Sequence, residues 1–363
     1  MAEIKLENIT HIYSKDVVAV KDVNWVIESG VAAGLLGPSG CGKTTLMKVI
    51  AGILRPTKGR VYFNGEDVTD SPIEKRNIGM VFQFPVVYHM TVYDNLAFPL
   101  RNIGYPVVEI KRRIKEISQL LELESVLHFN AYELDPGAKQ KVALGRAIIR
   151  GEMNAIILDE PLTNIPPEGR MKLRLVIKNV RKVYKTTMIF VTHDQSEAFT
   201  MSEKVAIMKD GQILQYDTQD AIYDKPKNTF IAHFVGHPGM NLLLCDLMED
   251  RLDFGDFQVK DKDVVGLIKN VKKLTGDSKT SRIYFGIRPE HVKVDNNERP
   301  GWIEFKCIGS EFSENKQILL LKKESTEIQV TTHRFDIKEG DTLYVYFPHE
   351  KVRFFDLNGN LIF

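Results

Sequence analysis

VAAGLLGPSGCGKTTLMKVIAGI, Val31 to Ile53, starts as an apolar run, turns through Gly37, Gly40 and Gly42, and continues as a helical stretch. The middle matches G-x-x-x-x-G-K-[ST] through Gly37, Pro38, Ser39, Gly40, Cys41, Gly42, Lys43 and Thr44, with Thr45 directly after. Glycines let the backbone wrap a phosphate with its N–H groups, and a helix N-terminus adds a favourable dipole. Lys43 is expected to reach the β- and γ-phosphates, and the Thr44 hydroxyl to hold Mg²⁺. A strand before the turn and a helix after it are the context this motif needs, so the stretch reads as a nucleotide site in a parallel α/β sheet.

Working outward, AIILDE (Ala155–Glu160) places two carboxylates after four apolar residues. They emerge at the carboxyl end of a buried strand, where ligands sit in such sheets. Asp159 suits the Mg²⁺ shell, and Glu160 suits a general base facing water. Up to about Gly236, apolar runs such as TTMIFVTHD alternate with helical stretches, the pattern of strands joined by crossover helices. From about Val86 to Arg150 the text turns mostly helical, which suggests a helical subdomain inside an α/β domain of residues 1–236. After it come short alternating strands such as GWIEFKCIG and DTLYVYFPHEKVRFF. Residues 237–363 therefore read as a small all-β, OB-like barrel.

The length, 363 residues, suits two domains, and 43% hydrophobic with 27% charged residues is ordinary for globular chains. A net charge of +1 supplies no basic field, so no nucleic-acid partner is expected. MAEIKLENIT lacks an apolar core, no run reaches bilayer length, and Cys41, Cys245 and Cys307 are odd in number and scattered. A reducing, cytosolic setting is the expectation. Three further residues carry weak signals by themselves. Gln83 begins a turn after IGMVF, His193 ends MIFVTH, and Tyr13 is an early aromatic.

Together GPSGCGKTT, VFQFPVVYHMTVYDNLAFPL, VALGRAI, IILDEPL, FVTHDQSEAFTMSEKVAIMKDGQI and GIRPEHV resemble the ATP-binding subunits of ABC transporters, in order and spacing. More narrowly, the chain resembles the importer ATPases for sugar, polyol and glycerol-phosphate uptake, over nearly its whole length. The resemblance implies a P-loop ABC ATPase domain using ATP and Mg²⁺. It casts Tyr13 as the adenine-stacking aromatic and Gln83 as the loop glutamine sensing Mg²⁺ and the membrane subunit. Glu160 becomes the catalytic carboxylate, and His193 the switch histidine. It also implies two transmembrane permease subunits, an extracytoplasmic solute-binding protein, and a peripheral place on the cytoplasmic face of the inner membrane.

One motif departs. Where the family reads LSGGQ, this chain reads Leu134-Asp135-Pro136-Gly137-Ala138. In the family that signature closes over the γ-phosphate bound to the opposite subunit of a head-to-tail dimer. Pro136 removes an N–H donor. Asp135 brings an anion, and at about 5 Å and an effective dielectric of about 20 each charge pair repels by roughly 3 kcal/mol. Asp as N-cap and Pro in the first helical position nevertheless start a helix well. Pro166 likewise stands where the family places an aspartate after LDEP. Both departures concern what the chain offers a partner's nucleotide, so the expectation is a heterodimer with a second, different ATPase chain. A homodimer with weakened sites, a non-hydrolysing ATP clamp, and a soluble ATPase acting on nucleic acid or ribosomes are the alternatives. The transported solute is left open.

Overall fold

The computed structural model describes residues 2–14, 17–260, 262–275, 282–313 and 315–363. They form two compact units, Met1–Gln219 and Asp220–Phe363.

The first unit is built on a six-stranded sheet ordered Gln212–Asp217, Lys204–Lys209, Ala32–Leu36, Thr187–Thr192, Ala155–Asp159 and Ile78–Val81. All neighbouring pairs are parallel except the first, which is antiparallel. Ala155–Asp159 and Thr187–Thr192 are buried along their whole length. Strand residues point alternately to opposite faces, so a strand covered on both sides needs a continuous apolar run. Ile156, Leu158, Met188 and Phe190 accordingly enter one core, while Ile157, Ile189 and Val191 enter the other.

The second of these cores is closed by the helix Lys43–Ala51 and a four-stranded sheet that includes Ile4–Ser14 and Val17–Ile27. The first is closed by Val92–Asn102, Val107–Leu121, Pro136–Ile148 and Pro167–Tyr184. On Val107–Leu121 the apolar residues Ile110, Ile114, Ile117 and Leu121 recur at helical spacing and all are buried. The span 86–150 thus holds three of the longer helices.

In the second unit two five-stranded sheets enclose one core containing Phe285, Phe305, Leu319, Val345 and Phe354. A helix, Lys262–Thr275, belongs to it as well. So do Gln219–Asp224, all but its first residue, and Thr229–Phe234. The compact units divide after Gln219, earlier than the boundary expected after Gly236. The physical reason is Arg288, which is buried and donates to the carbonyls of Tyr223, Ala232 and Val235. Ala232 also packs with Met240 and Phe355. Residues 220–236 supply acceptors and apolar cover to the β-sheets.

Candidate functional site: a phosphate-binding loop at the carboxyl edge of the sheet

Four adjacent parallel strands end on one edge, and each delivers a residue singled out from the sequence. Ala32–Leu36 leads into the phosphate-binding loop, Ala155–Asp159 into Glu160, Thr187–Thr192 into His193, and Ile78–Val81 into Gln83. Open α/β sheets bind ligands at that edge.

The loop itself leaves no room for side chains at two positions. A Cβ on Gly37 would lie 2.2 Å from the Met208 carbonyl oxygen and 2.8 Å from Cys41 Sγ. Gly42 has φ +104°, and a Cβ there would lie 2.1 Å from the Ala19 carbonyl oxygen. Pro38, Ser39 and Gly40 complete the turn, which is pinned by the Gly211 amide donating to the Cys41 carbonyl at 3.0 Å. Burial pushes the Cys41 thiol up, against the pull of the Lys43 charge. Buried Lys43 folds back on the loop, its Nζ donating to the carbonyls of Gly37 at 2.8 Å and Pro38 at 2.9 Å.

Thr44 Oγ1 lies 3.5 Å from Asp159 Oδ1. Burial pushes the Asp159 carboxyl above its ordinary value; the Thr44 hydroxyl pulls it back, and the Glu160 charge adds to the rise. Thr44 and Asp159 together present two hard oxygen donors, the chemistry that suits Mg²⁺.

Glu160 adopts φ 47°, unusual for a residue with a side chain. Its amide donates to the Val191 carbonyl at 2.9 Å, tying the turn to the next strand. Its Oε2 accepts from Thr163 Oγ1 at 3.1 Å and lies 3.3 Å from His193 Nδ1. The carboxylate is largely covered while the imidazole is half exposed. Gln83, half-buried, has its backbone carbonyl accepting from Asn164 Nδ2 at 3.3 Å, so the two loops are linked.

Tyr13 is 54% exposed, its hydroxyl 3.2 Å from Thr45 Oγ1, and His11 meets its ring edge-on at 4.7 Å. An exposed ring beside the phosphate-binding helix is free to stack.

Three residues went unnoticed in the sequence. The Asp194 amide donates to Thr192 Oγ1 at 3.0 Å, Thr192 Oγ1 donates to Glu197 Oε2 at 2.9 Å, and Asp194 caps the helix Gln195–Met201 by accepting from the Glu197 amide. This bracket holds His193 from both sides. The D-x-x-E spacing of a helix cap was its legible signal.

The degenerate signature forms the start of the helix Pro136–Ile148. Asp135 Oδ1 accepts from the amides of Gly137 at 2.8 Å and Ala138 at 3.0 Å. Two of the free amides at this helix start are thus satisfied by the chain's own carboxylate.

A family profile described as ABC transporter matches residues 20–163. The trehalose/maltose import ATP-binding protein MalK of Thermococcus litoralis is 40% identical over 304 residues, 80% of this chain and 79% of that one. The oligosaccharides import ATP-binding protein MsmX of Bacillus subtilis is 36% identical over 362 residues, 98% of each. The chain belongs to the ABC transporter ATP-binding family. It is an ATP-binding protein whose ATPase activity is coupled to transport. The sn-glycerol-3-phosphate import ATP-binding protein UgpC of Yersinia pestis shares 33% identity over 362 residues, 99% of both chains. Among solved structures, a dimeric ATP-binding cassette in a post-hydrolysis state bound to ADP and Pi shares 28% identity with a TM-score of 0.54, covering 59% of this chain and 98% of that one.

Proposed function

We propose that this chain is the ATP-hydrolysing subunit of an importer for a sugar, polyol or glycerol phosphate, peripheral on the cytoplasmic face of the inner membrane. The relatives named for trehalose/maltose, oligosaccharide and sn-glycerol-3-phosphate import support the sugar and glycerol-phosphate part of that range. Two membrane permeases and an extracytoplasmic solute-binding protein are the partners this role requires. The observation that carries the reading is the convergence of Lys43, Thr44 with Asp159, and Glu160 with His193 on one edge of one sheet.

In this reading the loop amides and Lys43 bind the phosphates, and Tyr13 stacks on adenine. Thr44 and Asp159 would hold Mg²⁺, which when bound would supply positive charge to offset the charge developing on the phosphates. Glu160 orients and deprotonates the attacking water, while His193 and Gln83 hold the γ-phosphate end of the site. The Thr163 hydroxyl and the Val191 carbonyl keep Glu160 in its left-handed turn. Beside Gln83, a pocket of about 160 Å³ lined by Phe82, Val86, Pro99 and Arg146 is too small for a drug-sized ligand but takes a protruding side chain. Phe84 and Val86 are exposed next to it, so this face suits a cytoplasmic helix of a permease.

The finer part concerns pairing. Asp135 and Pro136 weaken what this chain presents to an opposite nucleotide, which favours a second ATPase chain with an intact signature. The names of the relatives specify no such chain. Recovery from native membranes, with identification of the co-purifying chains, tests this together with the ATPase rate of the purified chain alone. Feeble turnover alone and a distinct ATPase in the complex are expected. Brisk, cooperative turnover by the single chain establishes a homodimer instead.

A further inference from the structure

The amino edge of the same sheet carries a cleft of about 550 Å³, a volume that fits a small-molecule ligand. Gly30, Met188 and Glu203 line it, each at or just before the start of a parallel strand, so it lies on the edge opposite the nucleotide loop. Ile177, Met188 and Met201 give it a buried apolar floor.

Its rim is cationic: Lys178, Arg181, Lys182 and Lys185 face a single carboxylate, Glu203. That carboxylate is already engaged, 2.7 Å from Arg181 Nη2 and accepting from the Ala32 amide at 3.1 Å. Lys178, Lys182 and Lys185 make no ion pair among the described residues. Lys178 and Lys182 are four residues apart on the helix Pro167–Tyr184, where like charges repel. Cations in a last turn complement the helix dipole, which accounts for Arg181 and Lys182 but not for Lys178. Ser202 Oγ, also lining the cleft, is shielded from solvent and makes no hydrogen bond among the described residues. Clustered unpaired ammonium groups, an idle hydroxyl and an apolar floor complement a phosphate-bearing small molecule.

We propose that this cleft binds a phosphate-bearing anion with an apolar portion, and that its occupancy alters ATP turnover. The second half rests on the role given to His193 above. The helix Gln195–Met201 begins at Asp194, beside His193, and ends at Met201 and Ser202 in the cleft. Strand Thr187–Thr192 makes the same connection from Met188.

Calorimetry on the full chain carrying Lys43→Ala, which disables the nucleotide loop, uses inorganic phosphate, glucose 6-phosphate, and vesicles of phosphatidylglycerol or of phosphatidylcholine. Binding is expected to fall at least about tenfold with Lys178→Gln and Lys182→Gln together, and to survive Lys178→Arg with Lys182→Arg. Free phosphates binding in this lysine-dependent way identify a soluble ligand. Phosphatidylglycerol vesicles alone doing so identify a lipid headgroup. No binding by any probe, or equal binding by the glutamine pair, overturns the site. In the assembled transport complex with Lys43 intact, the bound probe is expected to change the ATPase rate, and the glutamine pair to lose that response while keeping its basal rate. A rate indifferent to the bound probe overturns the regulatory half.

Discussion

Glu160 is held in a backbone conformation that costs energy for any side-chain-bearing residue, and strain of this kind persists where the surroundings over-determine it. Its covered carboxylate beside His193 is consistent with a base acting on water. Replacing Glu160 by Gln preserves shape and removes basicity. ATP binding should stay intact while hydrolysis by the assembled complex falls about 100-fold or more; undiminished phosphate release would assign the working site elsewhere. Tyr13 makes a different kind of contribution. Its ring is exposed and only its hydroxyl is tied, to Thr45. Tyr13→Phe should therefore bind ATP nearly as the parent does, and Tyr13→Ala about 1 kcal/mol more weakly. Equal affinity in all three proteins would make the ring a packing residue. Buried Glu197 gives a pH prediction. Burial pushes its carboxyl above the ordinary 4.5, although the Thr192 hydroxyl pulls it down. The folded chain thus holds this proton more tightly than the unfolded one. The associated stability is fully present below pH of about 4.5 and is lost as pH rises through the folded-state value. Glu197→Gln removes that loss, so its melting temperature should decline less than the parent's from about pH 5 to about pH 7. Parallel declines would show that Glu197 does not titrate differently in the fold.

In the function proposed above, the helix Pro136–Ile148 serves folding at the expense of recognition. Asp135 satisfies the amides of Gly137 and Ala138, a cap worth about 1 kcal/mol. The same bonds withdraw those donors from any phosphate. Combining Asp135→Ser, Pro136→Gly and Ala138→Gln should strengthen ATP-dependent self-association by roughly a hundredfold, read by light scattering. Association unchanged in the triple variant would show that the signature does not limit closure. Asp135→Ser alone should recover much of that gain, because it removes the charge, while Pro136 still withholds one N–H donor. This element was legible because Asp-Pro is a local helix start, complete within two residues. Strands such as Ala155–Asp159 were legible for a similar reason: burial on both faces leaves an unbroken apolar run. The bracket around His193 was harder to see. It depends on which way Thr192 and Glu197 point, and the spacing hinted at only its Asp194 half.

Across the whole molecule, the compact units divide earlier than the composition suggested. Helices Gln219–Asp224 and Thr229–Phe234 read like a continuation of the alternating strand–helix text, but their carbonyls are claimed by Arg288, far along the chain. Nothing local to residues 220–236 announces that claim. A fragment of residues 220–363 should consequently unfold cooperatively, whereas 237–363 leaves the buried Arg288 charge without those acceptors. Its stability should be lower by roughly 3 kcal/mol in denaturant titrations, the cost of unmade hydrogen bonds to a charged group. Equal midpoints and slopes for the two fragments would return the boundary to Gly236. The central sheet has a separate consequence. Its parallel strands commit the phosphate chemistry to the carboxyl edge and leave the cationic cleft at the amino edge. A compound lodged at the amino edge would not compete with the abundant cellular nucleotide. Only the cleft's own anion would oppose it, whereas any drug aimed at the nucleotide pocket meets ATP at its cellular concentration.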